Sequence, residues 1–408
     1  MITFVQKWTI MIKKLCQLWL LFLSLGASCA NKKDLQKNKE VNQMEDERFY
    51  YEVCCSAPKL GPGKYVTVEY IGESGTFRCF GNPTIGVGMG LGHDGVARNR
   101  ASRYGLPKAI EATWVSWTDR KVYSVASLLP YDTILSLFKN GGEPCIPITN
   151  GIIPEDKIGY AIDRFDLCFL PGGKVMLYVN TAVKSILLDW SAEGTEETDD
   201  EVLRHVYRRY GMKNMDGYYD MFYSDEFPDY EPWRKYMRKH GSIAPLLERY
   251  LERFNYTLNF EFENKETVID YVLAKYANGE HQSGTSQYNA CFRMPSRLKE
   301  TRVVWDTKDS HYTCFMYFNE EEMLKVFDEA YGEDRTQKGE LTIKVCKYNN
   351  LFDISLNVGD KSIKLEKTEI RVFRDPIEDP HGDGTLIYKN YKGNHKNLFA
   401  DDKGYVKE

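Results

Sequence analysis

The sequence predicts an α+β fold: two tandem related domains, each an antiparallel sheet with a helix on one face, joined by a helical connector. Residues 106–179 and 294–358 read as two copies of one unit. In each copy, short segments rich in Thr, Val, Trp and Tyr flank one segment whose apolar residues recur at helical spacing. The stretch between the copies carries helix starts and stops. With 408 residues, 42% of them hydrophobic and 13% aromatic, the chain can bury the cores of two domains. A net charge of -5 leaves no basic excess for gripping nucleic acid.

Residues 1–28 read as a lipoprotein signal peptide. Lys13 and Lys14 precede the apolar run Leu15 to Leu25, and Gly26, Ala27 and Ser28 lead to Cys29. That apolar run is too short to span a bilayer, and its order is that of an export signal. Met11, followed by Lys13 and Lys14, reads as a more typical signal start than Met1. Cleavage before Cys29 would place a diacylglycerol on its thiol. Several acyl chains, at roughly 0.8 kcal/mol per buried methylene, would hold the protein on a membrane. The expected location is the cell envelope, on the periplasmic face of the outer membrane, with surface exposure left open. Residues 29–48 are polar and read as a flexible tether.

The first domain is expected over 49–191. Tyr50 to Ser56 and Lys64 to Ile71 read as a hairpin. Leu106-Pro107 then opens a strand reaching Thr113, Val115 and Trp117, matched to Met294-Pro295, Thr301, Val303 and Trp305. Next come two helices, Pro130 to Phe138 and Asn319 to Phe327. Pro130 suits a first turn, Asn319 with Glu322 makes a capping box, and Gly141 and Gly332 stand as stops. Ile134, Leu137 and Phe138 form one apolar stripe; Met323, Val326, Phe327 and Ala330 form the other. Each copy closes with a hairpin, turning at Gly172-Gly173 or at Asn349-Asn350, residues suited to positive φ.

The connector, 192–253, starts a helix at Thr198-Asp199-Asp200-Glu201 and stops it at Gly211; its middle is crowded with aromatic residues, and Ser242 to Phe254 is a second helix. The second domain, 254–374, is a degenerate repeat of the first, with Tyr256 to Phe262 as the equivalent first strand. Residues 375–408 read as a polar tail with a short strand near Leu386 to Tyr388.

Ala57-Pro58 after a first strand, the Gly-rich run Ile85 to His93, Leu106-Pro107 leading to Trp114-Val115-Ser116-Trp117 and Tyr123, and the Gly172-Gly173 hairpin form one pattern. Over about residues 50–190 it resembles the bacterial envelope lipoproteins of domain of unknown function 2931; the second copy is a weaker echo. The resemblance implies export and lipid anchoring and assigns no catalytic residues.

Alternate strand residues face opposite ways. Thr113, Val115 and Trp117 agree in kind with Thr301, Val303 and Trp305, so that face is read as core. Ile110, Ala112 and Trp114 stand against Leu298, Glu300 and Arg302, so the other face is read as solvent-facing or inter-domain. Trp114 and Arg302, with Tyr223 and Trp233 of the connector, are the candidate binding surface. The glycines of Ile85 to His93 recur at strict period two, which fits a packed edge or flap and not a phosphate loop. Asp379, His381 and Asp383 share one side of an extended chain, but such triplets are common in polar tails and no metal is assigned. Beyond Cys16 and Cys29, eight cysteines remain and are expected to be mostly buried thiols. There is no H-E-x-x-H and no G-x-S-x-G.

The expected function is therefore a non-enzymatic, lipid-anchored protein-interaction scaffold, of the kind an immunity-type inhibitor or an assembly factor would be. Its partners would be the membrane, through Cys29, and an envelope protein. The alternatives are a lipoprotein binding a glycan or small ligand through exposed aromatics, and an enzyme of unrecognised type. No cofactor is expected.

Overall fold

The computed structural model describes residues 49–58, 63–72, 75–78, 84–85, 91–92, 102–140, 164–181, 183–209, 216, 220, 231–285, 294–377 and 384–395. The expected signal peptide, Cys29 and the expected tether lie outside these residues, as do Gly141, Tyr223, Asp379, His381 and Asp383.

The described residues are mostly β, 51% strand and 20% helical, in three sheets with five helices. This overturns the expected α+β arrangement of helix-covered single sheets and a helical connector. An eleven-stranded sheet runs in the order Thr385–Lys389, Glu369–Pro376, Ser310–Tyr317, Leu298–Asp306, Val268–Tyr276, His281–Thr285, Lys184–Glu193, Lys174–Asn180, Arg164–Phe169, Phe49–Ser56, Ser102–Tyr104. A second sheet runs Thr195–Glu196, Lys121–Leu128, Pro107–Ser116, Gly63–Gly72, Gly75–Arg78, with Thr84–Ile85 beside Gly63–Gly72. The third runs Tyr256–Phe262, Gly339–Val345, Phe352–Val358, Lys361–Lys364.

One pairing scheme occurs twice. Phe49–Ser56 lies parallel to Arg164–Phe169, and Tyr256–Phe262 lies parallel to Gly339–Val345. Gly63–Gly72, Pro107–Ser116, Lys121–Leu128 and Thr195–Glu196 follow one another as Val268–Tyr276, Leu298–Asp306, Ser310–Tyr317 and Glu369–Pro376 do. The expected first hairpin does not form, because Phe49–Ser56 and Gly63–Gly72 belong to different sheets. Each half is thus a pair of sheets packed face to face. In the first, Trp114 packs on Phe169 at 4.9 Å between ring centroids; in the second, Trp305 packs on Phe262 at 5.2 Å. The halves join edge to edge where Lys184 and Ser185 pair with Gln282 and His281.

The helices fill the gaps around the sheets. Helix α1 (Tyr131–Asn140) wedges Phe138 between Phe49, Tyr51 and Phe165. Helices α2 (Asp200–Arg209), α3 (Glu231–His240) and α4 (Ala244–Leu251) occupy the expected connector. They do more than connect: Val206, Leu246, Leu247 and Tyr250 are buried in the larger core. Helix α5 (Glu320–Tyr331) buries Met323, Val326, Phe327 and Ala330. The Asn319 side chain caps it by accepting from the Glu322 N–H, whereas the Glu322 carboxylate accepts from the N–H groups of Glu366 and Lys367 and does not reach back to Asn319.

The pairing also corrects the register between the two halves. Trp114 stands across from Tyr123, and Trp305 stands across from Tyr312, with ring centroids 5.5 Å apart in both cases. Trp305 therefore corresponds to Trp114, not to Trp117. An odd slip along a strand exchanges its faces, and the side read as solvent-facing or inter-domain, Ile110, Ala112 and Trp114, is buried in the smaller core.

Candidate functional site

A cavity of about 330 Å³ opens on one face of the eleven-stranded sheet, beside the junction of the halves. Its floor comes from adjacent strands, with Tyr271, Leu273 and Lys275 on one and His281 and Ser283 on the next. These residues share a face because Lys275 pairs directly with His281 and Leu273 with Ser283. Tyr276, Gly279 and Glu280 form one wall, and Leu91 and Gly92 of the Gly-rich segment come across from the first half.

A tight approach of two backbones holds that wall. A Cβ on Gly92 would lie 2.7 Å from the Gly279 carbonyl oxygen, and one on Gly279 would collide with the Leu91 carbonyl. Period-two glycine was read as allowing close backbone approach, and Gly92 is used in that way. Nearby, the Tyr178 hydroxyl donates to the Asn278 carbonyl at 2.6 Å.

Charge is compensated at most of the site. The buried Glu280 carboxylate accepts from both terminal nitrogens of Arg253, at 2.8 and 2.9 Å, from the Asn278 amide at 2.8 Å and from the Leu187 N–H at 3.1 Å. Lys275 donates to both carboxylate oxygens of Glu300 at 3.1 Å. Lys299 is the exception. It is only 4% exposed, lines the cavity, and its ammonium has no hydrogen bond or ion pair among the described residues.

A β-bulge puts Lys299 there. Lys275 pairs with Glu300 and Tyr276 with Leu298, so Lys299 is an extra residue with no partner in the ladder. Such a bulge re-aims a side chain. Without it, Lys299 would stand in phase with Thr301, Val303 and Trp305, the fully buried face. The first half has the same bulge at Lys108, between Gly72 opposite Pro107 and Ile71 opposite Ala109. The backbone carbonyls match as well, since Lys108 accepts from the Leu129 N–H at 2.8 Å and Lys299 from the Phe318 N–H at 3.0 Å. Lys108, however, is exposed, and its ammonium lies 5.0 Å over the Tyr131 ring.

Of the candidate binding residues among those described, Arg302 comes near this site. It is exposed, pairs directly with Leu273, and lies over the rings of Phe315 and Tyr271 at 5.4 and 6.0 Å. Trp114 is buried in the smaller core, 1% exposed, and presents no binding surface. Trp233 lies in α3, and Tyr223 and Cys29 lie outside the described residues. Cys54, Cys55, Cys168 and Cys314 are buried and Cys346 is half-buried. The residues the sequence reading missed are Lys299, Lys275, Tyr271 and His281. One signal was available: a lysine in phase with an otherwise apolar strand face.

Residues 31–226 match the family described as Protein of unknown function (DUF2931). No curated protein and no solved structure matches the chain.

Proposed function

We propose that the protein is a non-enzymatic, lipid-anchored cell-envelope protein that captures a small polar ligand in the cavity on its eleven-stranded sheet. The observation behind this reading is the bulge that brings a buried lysine, unpaired among the described residues, into a cavity of about 330 Å³ lined by tyrosines. That volume lies in the roughly 300–1,000 Å³ range of small-molecule sites. The test is ligand-observed NMR on the full-length protein with a panel of monosaccharides, amino acids and small organic acids. Leu273→Trp would fill the cavity from its floor. Binding to the native protein that disappears in a folded Leu273→Trp variant supports the reading. No binder, or equal binding to the variant, refutes it. Lipid attachment is tested by incorporation of an alkyne fatty acid that is lost in Cys29→Ala.

A second reading, a protein partner, is favoured by Arg302. An exposed arginine stacked between Tyr271 and Phe315 has the composition of an interface hot spot. A crosslinked pull-down from the native envelope would recover a stoichiometric protein that Arg302→Glu loses. Recovery unchanged by that substitution counts against it.

A further inference from the structure

We propose that the cavity takes the carboxylate of a small monoanionic ligand, with Lys299 as its counter-ion. This rests on the small-ligand reading above and specifies the ligand's chemistry.

Three charged side chains line the cavity besides His281, and two of them are already neutralised: Glu280 by Arg253 and Lys275 by Glu300. Lys299 is left with no counter-charge among the described residues. One uncompensated positive charge calls for one negative charge. A phosphate dianion would exceed it and would sit near the carboxylates of Glu280 and Glu300. With the residue only 4% exposed the ammonium keeps little contact with water, and a charge withdrawn from water is costly unless paired. A bound carboxylate would supply the missing partner through a charge-assisted hydrogen bond.

The competing explanation is a lysine that buries its stem and leaves its head in cavity water. The first half argues against this as the whole account. Lys108 stands on an equivalent bulge, yet it is exposed and its ammonium rests on the Tyr131 ring. One wall of the cavity that Lys299 lines is supplied by Leu91 and Gly92 from the other half, over a turn that admits only glycine at 279. Tyr271 and Leu273 flank the site with apolar surface, which favours an aromatic or aliphatic body behind the carboxylate.

The probes are benzoate, its neutral analogue benzamide, and inorganic phosphate, each titrated into the full-length protein. Benzoate is expected to bind, with benzamide and phosphate at least about tenfold weaker, the scale of a lost charge-assisted hydrogen bond. Lys299→Met keeps the stem and should weaken benzoate by about tenfold or more. Lys108→Met should leave it unchanged. Benzamide binding as tightly as benzoate overturns the counter-ion role while leaving the small-ligand reading intact. Tighter phosphate binding, or benzoate binding unchanged in Lys299→Met, also overturns it. Should that variant fail to fold, the three probes on the native protein still decide.

Discussion

Gly279→Ala probes the contact that assembles the cavity wall, and its cost can be worked from the structure. Gly279 has φ +84°, a conformation that costs an L side chain about 1–2 kcal/mol. An added Cβ would also strike the carbonyl carbon and oxygen of Leu91 and lie 2.9 Å from the Gly92 nitrogen. All three are backbone atoms, so no side chain can rotate away. Overpacking of this kind adds about 1–3 kcal/mol. The sum is about 2–5 kcal/mol. Gly241 supplies the control, because its φ is +73° and a Cβ there meets nothing within 4 Å. Gly241→Ala should therefore cost only the conformational part, about 1–2 kcal/mol. Urea unfolding followed by tryptophan fluorescence gives both values from the shift in midpoint. Equal losses in the two variants would refute the close approach of Leu91 and Gly92 to this turn.

Other perturbations have definite outcomes. Trp114→Ala should cost about 3–5 kcal/mol as a buried large-to-small change, whereas Arg302→Ala, at an exposed position, should cost under about 1 kcal/mol; similar shifts in urea midpoint would contradict the corrected register. Glu252 has its carboxyl raised by burial but lowered overall from 4.5, because Arg297, Arg335 and Arg249 outweigh that effect. A folded pKa below the unfolded one contributes stability above the unfolded value and loses it as pH falls through the folded one. The stability gap between native protein and Glu252→Gln should therefore be full near neutrality and close below about pH 4.5; a gap independent of pH would contradict the ion cluster. Under native conditions maleimide should label Cys346 before Cys54, Cys55, Cys168 and Cys314, which are buried, and burial further pushes the Cys314 thiol up. Peptide mass spectrometry reads the order, and labelling of Cys314 as fast as Cys346 would contradict it.

Local structure was legible in the sequence because local signals govern it. The apolar stripe of α5, its Asn319 cap and the Gly172-Gly173 turn, with φ of 82° and 86°, follow from residues a few positions apart. Sheet membership was not legible. Phe49–Ser56 pairs in parallel with Arg164–Phe169, a partner more than a hundred residues on, and nothing near either strand encodes the choice. The strand reading found two tryptophans, Trp114 and Trp117, and matched the second to Trp305; only the cross-strand tyrosines, Tyr123 and Tyr312, show that the first is the counterpart. That slip of three residues put a core face outside. It also hid the site, because Lys299 takes its meaning from a bulge visible only once Lys275 and Tyr276 are paired. The cavity itself draws on separate stretches near 91, 271–283 and 299, brought together by tertiary contact alone.

The most direct test is NMR of the full-length protein carrying ε-¹³C-lysine, with the Lys299 signal assigned by its absence in Lys299→Met. A saturable shift of the Lys299 signal on benzoate titration, with the Lys108 signal unmoved, is the expected result. A Lys299 signal that stays in place, or lysine signals that all drift together without saturation, would contradict a ligand site at this cavity.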